Sequence, residues 1–207
     1  GDFLGEYVEG LGVDTRLIFQ VDTPTSLVLV TRSRDVAHFT AYRGADAQVG
    51  EEQFPDEILK ETRIFHTTCF ALSREPARSA ILAAASRAHR FNCQLSIDLN
   101  YAEEVWPERE EAQAVVRTYC EKGALVKASE VDWIRLYEKP LEDPEEAAAH
   151  FTAMGAHQVC ITLGNEGCLV ASGKKTWKMP ARRIEIKDTT GAGDAFWSGY
   201  LTAWLDG

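Results

Sequence analysis

Residues 76–99 read PARSAILAAASRAHRFNCQLSIDL, and this stretch decides the fold class. Its first part, 76–90, is an Ala-rich segment expected to be a helix, and 94–99 is expected to be a strand. The same alternation continues on both sides. A strand is expected over 63–70. Downstream follow a helix over 108–122 closed by Gly123, a strand over 124–128, and a short helix opened by Ser129-Glu130-Val131-Asp132, a capping-box variant. Asp143-Pro144 starts a further helix that stops at Gly155, with Pro at the first helical position, and 157–163 is an apolar strand. Strand–helix alternation of this kind implies an α/β fold, a mostly parallel sheet flanked by helices on both faces. It also sets the loops after successive strands along one sheet edge, where such proteins bind ligands. Further out, shorter strands are expected over 168–171, 175–178 and 182–186, then a final helix. Near the start, a helix over 3–11 precedes two β-rich runs, 25–31 and 36–42. Arg32-Ser33-Arg34-Asp35 between them reads as a four-residue hairpin connection. The chain is thus one α/β core over 1–207 with a β hairpin inserted at 23–45, outside the alternating series, in the place of a lid or an interface.

The bulk numbers fit one domain. Of 207 residues, 45% are apolar and 26% charged, ordinary for a packed globular chain. The net charge of −10 argues against a broad nucleic-acid surface, though backbone amides can hold a nucleotide's phosphates without basic side chains. No apolar run approaches the roughly 18–20 residues of a membrane span, and nothing at the start resembles a secretory signal. Five cysteines, Cys69, Cys93, Cys120, Cys160 and Cys168, form no C-x-x-C pair. A reduced, cytoplasmic setting is expected and a zinc site is not. The first residue is Gly1 rather than Met, so the true N-terminus is expected upstream.

The chemistry concentrates in Asp188-Thr189-Thr190-Gly191-Ala192-Gly193-Asp194-Ala195-Phe196, which opens the last helix. Glycines let the backbone approach a ligand closely. The first helical turn has amides without internal partners and a partial positive charge from the macrodipole. Both suit the charge that builds on a transferring phosphoryl group, and Asp194 in this turn can take the proton of an attacking hydroxyl. An acidic first-turn residue that only stabilises the helix start is the plainer alternative.

That segment resembles the C-terminal signature of the ribokinase-like (PfkB) carbohydrate kinases, and three more segments resemble the family in the same order. The resemblance implies that Gly191, Ala192 and Gly193 form an anion hole and that Asp194 is the catalytic base. It implies a monovalent cation, K⁺, beside Asp188 and Thr190. Thr162-Leu163-Gly164-Asn165-Glu166-Gly167 is similar to the family's T-L-G-x-x-G loop along the nucleotide, which assigns nucleotide binding to Thr162, Gly164, Asn165 and Gly167; a glycine turn between strands would look the same. Lys127-Ala128-Ser129-Glu130-Val131-Asp132 looks like the K-x-N-x-x-E region, which implies phosphate contacts for Lys127 and Ser129 and Mg²⁺ for Asp132. Ser stands there for Asn and Asp for Glu, and Ser129 is equally suited to a helix cap. Asp98-Leu99-Asn100-Tyr101 resembles the start of D-x-N-x-R, which points Asp98 and Asn100 at the substrate, with Ala102 where the family has Arg; strand-end turn residues would read alike. The hairpin and Ala41-Tyr42-Arg43-Gly44-Ala45-Asp46 look like the lid of fructokinase-like and ketodeoxygluconate-kinase-like members. Arg43 is then expected to touch the sugar or a carboxylate on it, or else to lie solvated on the surface.

The expectation is an ATP- and Mg²⁺-dependent transfer of the γ-phosphate to a hydroxyl of a small sugar or sugar acid. A nucleoside kinase on the same scaffold and a non-catalytic nucleotide-binding relative are the alternatives. Partners are expected to be small molecules, neither nucleic acid nor membrane, with the lid edges able to pair with a second copy. The family pattern extends beyond both ends of the 207 residues, so the chain is expected to lack its N- and C-terminal parts.

Overall fold

The strands at the centre of the fold, Gln94–Asp98, Leu125–Ser129 and Gln158–Thr162, are buried nearly throughout because both of their faces are covered. In the computed structural model, which describes residues 1–33 and 36–207, six strands form one sheet: β3 (Ile64–Thr68), β4 (Gln94–Asp98), β5 (Leu125–Ser129), β6 (Gln158–Thr162), β7 (Cys168–Ser172) and β8 (Lys175–Met179), in that spatial order. β3 to β6 are parallel, and β7 and β8 are added antiparallel. β1 (Leu27–Ser33) and β2 (Val36–Tyr42) pair antiparallel in a separate two-stranded sheet.

Strand periodicity assigns each residue to a face. Leu95, Ile97, Val126, Ala128, Val159 and Ile161 point to one side. There they meet α3 (Ala77–Arg90), α4 (Arg109–Cys120), α5 (Glu130–Tyr137) and α6 (Pro144–Ala153) in the main core. α3 buries Ala77, Ala80, Ile81, Ala84, Ala85 and Ala88, a helical stripe of small side chains. The other face carries Leu125 and Cys160. These pack, together with Cys168, under α7 (Ala192–Asp206) through the buried Trp197. Helices therefore lie on both faces, as the alternation implies.

Three differences from the sequence reading have physical causes. No strand forms over 182–186: Arg-Arg-Ile-Glu-Ile alternates like a strand, but Ile184 and Ile186 are 75% and 64% exposed. β1 runs on to Ser33, which pairs with Val36, so the hairpin connection is shorter than four residues; Arg34 and Asp35 lie outside the described residues. A short α2 (Asp56–Glu61) also forms, with two acidic residues in its first turn, and α1 (Asp2–Gly10) buries none of its residues.

Candidate active site

β3, β4, β5 and β6 end at the same edge, and register brings two charges together there. Asp98 and Lys127 are ladder partners, and Lys127 Nζ donates to both carboxylate oxygens of Asp98 at 2.9 and 2.8 Å. They are 2% and 6% exposed; breaking a buried pair leaves an uncompensated charge worth about 3–5 kcal/mol. Burial still dominates the Asp98 carboxyl and pushes it up to about 6. Lys127 pulls it back, while Asp132 and Asp194 add to the rise. The sequence reading gave Asp98 to the substrate and Lys127 to the nucleotide; the structure joins them in one ion pair.

The start of α7 rests on that pair. A Cβ at Gly193 would lie 3.0 Å from Lys127 Nζ, so the glycine lets the helix mouth sit close to the ammonium without displacing it. Gly191 takes the N-cap with φ of 75°. Ala195 N–H donates to the Gly191 carbonyl at 2.9 Å and Ala192 N–H to the Thr189 carbonyl at 3.1 Å. Ala192 thus spends its amide on a turn. Among the described residues the amides of Gly191, Gly193 and Asp194 find no acceptor, so the amide of Asp194, rather than that of Ala192, stands open beside those of the two glycines. The Asp194 side chain is exposed at this mouth, and its charge acts through space on Asp98 and His66. The mouth is open, and the carboxylate is not turned into the interior.

The neighbouring loops lie on the same edge. Ser129 pairs in register with Thr162, and Thr162 leads into an exposed 3-10 turn over Gly164–Glu166. Leu163 N–H closes this turn onto the Gly167 carbonyl at 2.8 Å. Gly167 has φ of 100°, and a Cβ there would sit 1.9 Å from the Met179 carbonyl oxygen. The glycine-turn description of 162–167 is therefore accurate, and the turn remains accessible from the site edge.

Ser129 caps α5: its Oγ accepts from Asp132 N–H at 3.0 Å, and the Asp132 carboxylate accepts from Ser129 N–H at 2.8 Å and Ser129 Oγ–H at 2.7 Å. The second Asp132 oxygen accepts from Tyr101 N–H at 2.8 Å. With both oxygens engaged and the residue 6% exposed, Asp132 does not fit a direct Mg²⁺ ligand here; it braces the loop after β4 against α5. Asn100 is exposed with φ of 33°, a left-handed conformation that Asn tolerates. Ala102 packs partly buried against the core. Asp188 Oδ1 accepts from Thr190 N–H and Oγ–H, both at 2.9 Å, which sets a carboxylate and a hydroxyl together before the helix mouth.

Arg43 is not solvated. Its side chain is 5% exposed, ion-paired to Asp46 through Nε at 2.5 Å, donating to the Phe70 carbonyl at 3.2 Å and to Ser73 Oγ at 2.5 Å, with its guanidinium 4.2 Å from the Phe70 ring centroid. It ties the hairpin's exit to the loop after β3. Sequence reading left His66 and Ser96 unassigned: both face α7 beside Asp98, a placement that only the strand register reveals.

Residues 1–207, the whole chain, match the pfkB family carbohydrate kinase description. The chain belongs to that family. An ATP-dependent 6-phosphofructokinase of Thermoanaerobacterium thermosaccharolyticum is 31% identical over 210 residues, covering 100% of this chain and 64% of that protein. A fructokinase structure from Halothermothrix orenii superposes with a TM-score of 0.86 at 30% identity, covering 100% of this chain and 72% of that one. A Vibrio cholerae O395 fructokinase double mutant, described in a fructose-, ADP- and potassium-bound form, matches with a TM-score of 0.84 at 28% identity, over 97% of this chain and 64% of that one. This pfkB chain thus spans a little under two thirds of the curated phosphofructokinase. Among its described residues no helix is long and apolar enough to cross a membrane, and all five cysteines are free and buried.

Proposed function

We propose that the protein transfers the γ-phosphate of ATP, taken as its Mg²⁺ complex, to a hydroxyl of a small sugar or sugar acid. The observation that carries this reading is the open mouth of α7, where Asp194 and three amides without an acceptor among the described residues meet above the buried Lys127. In that arrangement Asp194 accepts the proton of the attacking hydroxyl. The amides of Gly191, Gly193 and Asp194 stabilise charge on the phosphoryl oxygens, and the Lys127 ammonium adds positive potential from beneath. The exposed 162–167 turn borders the nucleotide. Asp188 and Thr190 offer oxygen donors suited to a monovalent cation, and the potassium named with the Vibrio fructokinase supports placing it there. The relatives reported above are hexose kinases, which favours a sugar over a nucleoside as acceptor.

The test is Asp194→Asn in the complete protein, assayed for ATP consumption against fructose, fructose 6-phosphate, sugar acids and nucleosides. Turnover is expected to fall by about 10²–10⁴-fold, the usual worth of a general base, with ATP affinity nearly unchanged. A variant within about tenfold of wild type, well short of the roughly hundredfold least that a general base contributes, would remove the assignment. ATP binding without acceptor-dependent turnover in the wild type would favour a non-catalytic role.

A further inference from the structure

Trp197, one helical turn beyond Asp194 on α7, is 2% exposed and donates its indole N–H to Ser96 Oγ at 3.1 Å. Residues three apart share a helix face, so the helix face that presents the base is the one pinned to Ser96. Ser96 is wholly buried and is the ladder partner of His66, whose Nδ1 lies 3.0 Å from the same Oγ. An indole N–H can only donate, so it occupies one lone pair of the hydroxyl. The hydroxyl proton, shut off from water, must find an acceptor inside the fold, and His66 Nδ1 supplies it. The ring proton of His66 therefore resides on Nε2. Protonating Nδ1 as well would turn that acceptor into a donor and leave the buried Ser96 O–H without a partner, which is costly.

The groups facing this imidazole are Ser96 from β4, Lys127 from β5 and Asp194 from α7. Protein crowding the ring's inner side lowers its basicity, Lys127 acts the same way, and Asp194 opposes them. Lys127 is already committed to Asp98, so a charged His66 would be the additional cation beside the base, and a cation there makes a carboxylate a weaker proton acceptor.

We propose that His66 is a positioning residue for the base, held as the neutral Nε2–H tautomer by a Trp197–Ser96 relay that also seats the helix carrying Asp194. This rests on the kinase reading for its catalytic consequence, but not for the tautomer. Imidazole ¹⁵N NMR of the wild type is expected to show an unprotonated Nδ1 and a protonated Nε2; a protonated Nδ1 at neutral pH overturns the proposal. In Ser96→Ala the tautomer preference collapses and His66 becomes easier to protonate. The ratio of kcat at about pH 8 to kcat at about pH 6 then grows about fivefold, the worth of one neutral hydrogen bond. Adding His66→Gln to Ser96→Ala removes that extra acid sensitivity, whereas a purely structural loss would persist in the double variant and overturn the idea. Trp197→Phe, which keeps the packing and deletes the N–H, serves where Ser96→Ala folds poorly, with the same direction expected. If the wild type shows no acceptor-dependent turnover, the kinase reading fails, while the ¹⁵N measurement still decides the relay.

Discussion

At the residue scale the decisive feature is a buried carboxylate whose proton affinity and whose ion pair pull in opposite directions. Asp98 has a folded-state pKa of about 6 against an ordinary 3.8, because burial outweighs the help of Lys127. A carboxyl raised in the folded state binds more protons folded than unfolded between those two values. Its contribution is therefore most favourable below the unfolded value and is lost as pH rises through the folded one. Asp98→Asn removes this titration. The stability difference, wild type minus variant, is expected to fall between about pH 4 and about pH 6 and to be flat above that, as read from chemical denaturation at several pH values. A difference that rises with pH across that window would mean that the pairing with Lys127 outweighs burial. Neither residue announces the pair in the sequence: Asp98 and Lys127 are 29 positions apart, and only the β4–β5 register places them side by side.

At the scale of elements, the alternation over 63–163 was legible because each parallel strand turns apolar residues toward the main core, and helices follow at each crossover. The strands observed at Ile64–Thr68, Gln94–Asp98, Leu125–Ser129 and Gln158–Thr162 lie within one or two residues of the expected bounds. The strand expected over 182–186 failed for a reason local pattern cannot see, since alternation describes a strand only where a neighbour completes the ladder. The cap at Ser129 was legible because its geometry is local, whereas the brace from Asp132 to Tyr101 was not, since it joins two loops across 31 residues. The 162–167 turn shows how tightly an element boundary can be specified. A side chain at Gly167 would meet the Met179 carbonyl and the Ala181 nitrogen at 1.9 and 2.7 Å, backbone atoms that cannot swing aside. Gly167→Ala adds left-handed strain of about 1–3 kcal/mol to that collision. It is expected to lower Tm by roughly 10 °C or more, on the scale of several degrees per kcal/mol. A melting temperature within about 2 °C of wild type, less than 1 kcal/mol of change would give, would show that the strand end relaxes freely around this turn.

At the scale of the whole molecule, the six-stranded sheet and the β1–β2 hairpin are two bodies of unequal stability joined by a few contacts. The larger is held by a continuous core; the hairpin is a two-stranded sheet, marginal on its own, with Leu27, Val28, Leu29 and Val30 all exposed. Arg43 is the joint. Its guanidinium is anchored to Asp46, Phe70 and Ser73, and Asp46 in turn accepts from Ser26 Oγ at the hairpin's entry, so one residue clamps both ends of the hairpin to the loop that follows β3. Its Nη2 is buried without a partner among the described residues, so the N–H groups on that nitrogen are the ones that a substrate contact would use. The brace and the ligand contact make different predictions. If Arg43 is a brace, Arg43→Ala speeds amide hydrogen exchange in 27–33 and 36–42 about tenfold or more with no sugar present, while β4 to β6 keep their protection, since weakly held segments open independently of the core. If it acts only on the substrate, exchange without sugar is unchanged and only the acceptor KM rises. Because the guanidinium is already engaged by Asp46, Ser73 and the Phe70 carbonyl and ring, the first outcome is the expected one, with a rise in KM following from a loosened hairpin.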